Sequence, residues 1–203
     1  DYGQMSQVAA VASRLTEDKE EAQQFTDQAA KIYRLDNESD LVGTIAPGLE
    51  AIMAQFKLSV WELDDVVNAF AVATNQTKAT SDEVMKAMSR SGSALAASGV
   101  QADEAVALNA IAIQSSGQSG EVIGNMFKTV AARVTLPSVV DSLVGKGIDV
   151  YETNDMGLKE RRSLIDILKD TAKVANGSRT GEDEISKIML DEGGGYHYSK
   201  VMS

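Results

Sequence analysis

Candidate helix starts stand at Ser59, Thr80, Gln101 and Ser119, about 20 residues apart. Each interval holds one helix of ordinary length and one short loop, so a chain built on it folds as a succession of helices. The clearest start is Ser59-Val60-Trp61-Glu62, which has the spacing of a capping box. In that arrangement the serine oxygen and the glutamate carboxylate each satisfy an amide that the first helical turn leaves without a partner. Leu58 ahead of it and Leu63 behind it fit a hydrophobic staple, and Leu63, Val66, Val67 and Phe70 continue as an apolar stripe at helical spacing. Thr80-Ser81-Asp82-Glu83 repeats the box ahead of Val84, Met85 and Met88, and Gln101-Ala102-Asp103-Glu104 is a weaker third start. The regularity lies in spacing alone, because no residue pattern of a known solenoid recurs.

The same reading extends to both ends. Residues 5–34 form one long or broken helix, with Val8, Val11, Leu15, Ala22, Phe25, Ala29 and Ile32 on its apolar side and a solvated acidic stretch from Glu17 to Glu21. Asp36 to Asp40 is a polar break, and the following helix carries Leu41, Ile45, Leu49, Ile52, Met53 and Phe56, with Pro47 in its first turn or at a kink. Ala105 to Ile113 reads AVALNAIAI, with Asn109 its only polar residue, which predicts a central helix covered on nearly every face. The next helix runs from about Ser119 to Val134, where Gly120 and Gly124 would let a neighbouring helix approach closely. Pro137 opens a short helix that ends at Gly145-Lys146-Gly147. Ile148 to Tyr151, followed by Thr153-Asn154-Asp155, is the one β candidate. Ser163 starts a helix closed by Asn176-Gly177, and Thr180 starts the last, with Ile185, Ile188 and Met189.

Composition agrees: 26 alanines stand against 4 Phe, 5 Tyr, 1 Trp and 2 Pro. Alanine is the strongest helix former and proline the strongest breaker, so a β-sandwich or barrel is disfavoured. The expected fold is an all-α, compact bundle or array of roughly seven to nine helices with short loops, and at most one minor β-hairpin near 148–162. Three segments are expected: 1–40 as an N-terminal helical segment, 41–145 as a central bundle, and 146–203 as a C-terminal helical segment with the hairpin.

The formal charge of −11 is spread along the chain and repels duplex DNA and anionic membranes at long range, so direct nucleic-acid binding is not expected. No apolar run reaches the 18–20 residues of a membrane span, and no basic region followed by an apolar run opens the chain as a signal peptide would. The start at Asp1 in place of Met, and the end at Val201-Met202-Ser203, suggest a piece of something longer, with N-terminal processing as the alternative.

Chemistry finds little support. With no cysteine there is no disulfide, no thiolate metal ligand and no thiol nucleophile. The one histidine, His197, follows Gly193-Gly194-Gly195-Tyr196 and reads as a loop residue rather than a general base. The glycines lack the Lys-Ser or Lys-Thr of a phosphate loop, and Gly117-Gln118-Ser119-Gly120 lacks the spacing of a nucleophile elbow. Asp36-Asn37-Glu38-Ser39-Asp40 alternates like a calcium loop, but Leu41 stands where its glycine belongs and Pro47 where its final glutamate belongs, so polar capping is the better account. Trp61 reads as a packing residue rather than a sugar platform, and Met85, Met88 and Met126 as core fillers. No catalytic, cofactor-binding or metal-ligating residue is assigned, and no enzyme is expected.

A set of short phrases nonetheless recurs in order. Phe56-Lys57-Leu58-Ser59 precedes Thr74-Asn75-Gln76-Thr77 and Thr80-Ser81; then come Ser98-Gly99-Val100 and Glu104-Ala105-Val106-Ala107-Leu108. Ser119 to Asn125 follows, with Lys128-Thr129 and Arg133 beyond it. Gly147-Ile148-Asp149-Val150-Tyr151, Leu164 to Leu168 and Gly194-Gly195-Tyr196 complete the series. In this order they resemble the shared region of phage tail tape measure proteins, most closely from Phe56 to Tyr151 and more weakly before residue 40. Asp155-Met156-Gly157 and the charged Lys159-Glu160-Arg161-Arg162 depart from the family's simpler turn.

The resemblance implies a structural virion protein that sets tail length, scaffolds tail-tube polymerisation and leaves ahead of DNA during ejection. It implies the phage tail as location, with the host cytoplasm during assembly, and tail-tube, tail-tip or tail-assembly chaperone proteins as partners, together with self-association. An unbroken helix of this length would span about 300 Å, yet repeated caps and glycine stops interrupt the chain. A compact module is therefore expected here, with the extended ruler elsewhere in the parent protein. The alternatives are a small helical peptidoglycan hydrolase domain and a cellular helical adaptor.

Overall fold

A computed structural model describes residues 2–36 and 39–176. Nine α-helices and one two-stranded sheet lie in this part of the chain. The helix expected after Thr180, His197 and the Gly193-Gly194-Gly195 run lie outside the described residues. The described residues fall into two units, one made of 2–93 with 101–125 and the other of 94–100 with 126–176.

In the first unit the N-terminal helical stretch is broken rather than continuous. Helix α1 covers Tyr2–Leu15 and α2 covers Lys19–Leu35. The break is written locally: Asp18 takes an extended backbone, and its Oδ1 accepts from the amides of Glu20 at 2.7 Å and Glu21 at 3.2 Å. Val8, Phe25, Ala29 and Ile32 are buried, as their spacing predicts.

Asp40 then caps a π-helical turn over Leu41–Ile45, its Oδ1 accepting from Val42 and Gly43. Polar capping at Asp40 is thus what the structure shows. Helix α3, Ala46–Phe56, follows directly, with Pro47 in its first turn. Proline has no N–H to give, and the wide turn before it absorbs the mismatch, with the Ala46 amide reaching back to the Leu41 carbonyl.

The Ser59–Glu62 box forms as expected, with Ser59 N and Oγ at 2.8 and 2.7 Å from Glu62 Oε2. It opens a 3-10 turn, Val60–Glu62, that runs into α4, Leu63–Gln76. Helix α5 covers Ser81–Ala97, α6 covers Ala102–Ser116 behind a complete Gln101–Glu104 box, and α7 covers Gly120–Arg133. Thr80 caps α5 through the Glu83 amide, at 3.2 Å. The Glu83 carboxylate accepts from the amide of Gly120 at the start of α7.

Close approach of α5 and α7 rests on the two glycines. A Cβ built on Gly120 would stand 1.9 Å from the Glu83 carbonyl oxygen, and one on Gly124 would stand 2.5 Å from that of Ala87. Between α5 and α6, the buried Asn109 gives its amide to the Ala105 carbonyl at 2.8 Å and to Ser91 Oγ at 3.3 Å. Buried Gln28 of α2 donates to Asp64 of α4 at 2.7 Å.

One expectation is corrected. Helix α6 buries Ala105, Val106, Asn109, Ala110, Ala112 and Ile113, but Ala107 is exposed and Ile111 is 60% exposed. An apolar face of this helix is left open instead of covered.

In the second unit α8, Pro137–Gly145, ends as the glycines predict. Gly147 takes φ +78°, its amide reaches the Val144 carbonyl, and the Ile148 amide reaches that of Leu143. Strands β1, Tyr151–Thr153, and β2, Lys159–Arg161, pair antiparallel with Tyr151 opposite Arg161. Helix α9, Leu164–Asn176, closes the described chain. The charged run after the turn acts as a clamp: Arg161 donates to the Ala97 carbonyl at 3.0 Å, and Arg162 donates to the Asp149 carbonyl and to Asp170, both at 2.7 Å.

Candidate interaction surface

The open face of α6 belongs to a groove. Helices α4 and α6 pack side by side, and because α5 returns between them on short loops they run in the same direction. The Lys78 amide, just past α4, donates to Gln114 near the end of α6 at 3.2 Å, consistent with that register.

Between the two helices lies a groove of about 460 Å³. Its floor is small, with Ala73 and Ala110 buried, and its walls are Val72 on α4 and Ile111 on α6, 53% and 60% exposed. The small residues follow from the sequence, since alanine at these positions keeps both helices stable while leaving room above them. One end is acidic: Asp65 stands in the first turn of α4, and Asp103 and Glu104 in the first turn of α6. Carboxylates suit the positive ends of the two helices. The Glu104 carboxylate also accepts from the Gln101 amide at 3.1 Å. Among the described residues no lysine or arginine lines this groove.

A second, more polar hollow of about 270 Å³ lies beside Gly43, Gly48, Lys86, Arg90 and Glu121. Its cations have partners: Lys86 meets Asp82 at 2.8 Å and Glu83 at 3.6 Å, and Arg90 meets Glu121 at 3.6 Å. Burial pushes the Asp82 carboxyl up, but hydrogen bonds from Lys86 and Thr44 outweigh it and hold the pKa below the usual value. The bond to Asp82 in turn raises the Lys86 pKa.

Among the described residues no cluster of three or more histidine, cysteine or acidic side chains could hold a metal ion. Met85 and Met88 are buried, as core fillers should be. Trp61 is 52% exposed, which corrects the expectation of a packed residue. It follows the cap directly, and the 3-10 turn there directs Val60 inward in its place. Gly117 is the left-handed cap of α6, so Gly117 to Gly120 is a loop before a helix, as its composition indicated. Sequence reasoning missed the groove. Its available signal was the spacing of Asp103, Ala107 and Ile111, which places an acidic residue on the same stripe as the two apolar ones.

Fold and surface together define an acidic, all-α protein whose distinctive feature is an open groove between two parallel helices. The chain belongs to the phage-related minor tail protein family, which matches residues 3–189. No curated protein and no solved structure matches it. Membership supports a structural role in the phage tail, in contact with other tail components. Among the described residues no helix is long and apolar enough to cross a membrane.

Proposed function

We propose that this chain is part of a tail tape measure protein, which acts in tail-length determination and tail-tube assembly, and in DNA ejection, through protein–protein contacts rather than catalysis. The observation that carries the reading is the ordered series of phrases from Phe56 to Tyr151, set within a family match that extends over residues 3–189. Tail-tube, tail-tip or tail-assembly chaperone proteins are the partners this role requires. The particle is assembled in the host cytoplasm and the protein then resides in the virion tail. The acidic surface suits the role, because a chain of charge −11 repels passing DNA.

Deleting the gene in the producing phage tests this. The expected result is heads without tails of defined length while tube subunits accumulate unassembled, and mass spectrometry of wild-type tails should find these residues. Normal tails from the deletion strain would overturn the reading. Zymography on bacterial cell walls addresses the hydrolase alternative: clearing lost on substitution of one carboxylate would favour an enzyme.

A further inference from the structure

We infer that the groove between α4 and α6 is a docking site for an amphipathic helix of a partner protein that carries lysine or arginine at one end. The inference rests on the groove alone and holds whether or not the chain measures tail length.

Size and shape argue for a helix. From Asp65 to Gln76 the groove runs about 16 Å, three turns of helix, and its alanine floor lets another backbone come close while Val72 and Ile111 clasp it from either side. Leaving two large aliphatic side chains more than half exposed across from one another costs the free protein hydrophobic stabilisation that a helix laid between them would recover.

Charge selects the partner. Asp65, Asp103 and Glu104 crowd one end, and none of them forms an ion pair among the described residues. An acidic helix is repelled there, and a second copy of this chain, at −11, brings like charge to it. A helix with lysine or arginine at the corresponding end meets three carboxylates and buries its apolar stripe in one placement. Complementarity of this kind sets register and partner choice more than raw affinity.

The test uses the 203-residue chain and two synthetic helices of about 18 residues. One carries leucines at i, i+3, i+4 and i+7 with lysines clustered at one end; its twin has glutamates in place of the lysines. Binding is followed by calorimetry and by the fluorescence of Trp61, the single tryptophan, which lies four residues before Asp65.

The lysine helix should bind and the glutamate twin should not. Ile111→Asp, and separately Val72→Asp on the opposite wall, should weaken binding at least tenfold. Asp65→Asn combined with Asp103→Asn should weaken it about fivefold at low salt, an effect that fades as salt rises. All four substituted residues are exposed, and unchanged circular dichroism will confirm that the variants fold. Equal binding of both helices, no binding of the lysine helix, or full affinity in Ile111→Asp would each overturn the proposal. So would sedimentation showing a dimer of the free chain that Ile111→Asp dissolves, since the groove would then serve a second copy.

Discussion

A methyl group at Gly120 or Gly124 has no space, because the α5 carbonyls of Glu83 and Ala87 occupy it. Alanine is worth about 1 kcal/mol more than glycine inside a helix, so Gly→Ala would stabilise α7 if nothing faced it. Backbone cannot turn aside as a flexible side chain can, and overpacking of this kind costs about 1–3 kcal/mol. The steric effect wins. Gly120→Ala combined with Gly124→Ala should lower stability by about 2 kcal/mol or more in urea unfolding, and a gain in stability would show that α5 and α7 do not meet at these residues. The spacing of the two glycines was readable in the sequence; that their partner would be α5 was not, because a glycine pair states how close a neighbour comes without naming it. Trp61 teaches the converse. Its position just after a cap was legible, but which side of a 3-10 turn faces the core depends on the turn's tighter winding, and Val60 took the inner place.

At the scale of elements, helix ends were the most legible feature and helix faces the least. Capping is a contact between residues two or three apart, so Asp40, Ser59 and Gln101 announce their roles in the sequence itself, whereas Asp18 read only as part of a solvated acidic stretch and proved to be the cap of α2. The AVALNAIAI run announces hydrophobicity but not its cover, and α6 proved open along Ala107 and Ile111 because, among the described residues, α4 alone flanks the groove on that side. A hairpin near 148–162 was legible, but its first strand is Tyr151–Thr153 where alternation pointed to Ile148 to Tyr151, because Ile148 and Val150 are buried ahead of it. The clamp made by Arg161 and Arg162 was not legible, since its partners Ala97, Asp149 and Asp170 lie far apart in sequence.

That clamp has a pH signature. Bonds from Lys173 and then Arg162 hold the Asp170 carboxyl below the usual carboxylate range, and Asp170 raises the Arg162 pKa. Gln28 and Lys31 lower Asp64 in the same way, and Ser59 lowers Glu62. A carboxyl whose folded pKa is depressed binds fewer protons in the native state than in the unfolded one. Its stabilisation is therefore present above the unfolded value near pH 4 and is lost as pH falls through the folded value. Urea midpoints should be flat from about pH 5 to 7 and fall below about pH 4. Asp170→Asn should reduce that acid slope, and an unchanged slope would contradict the contribution assigned to the clamp.

For the whole molecule, the regular succession of capped helices, each about 20 residues from the last, is what distinguishes this chain from a continuous rod. A ruler needs length, and an unbroken helix supplies 1.5 Å per residue; the caps at Asp18, Asp40, Ser59 and Gln101 spend that length on turns. In the proposed role these capped helices make contacts, and helix without such caps measures. The most direct measurement is electron microscopy of tails from phages whose gene for this protein carries in-frame deletions or duplications outside residues 1–203. Mean tail length should change in proportion to the residues removed or added, by about 1.5 Å for each. Tails of unchanged length across such a series would contradict the account.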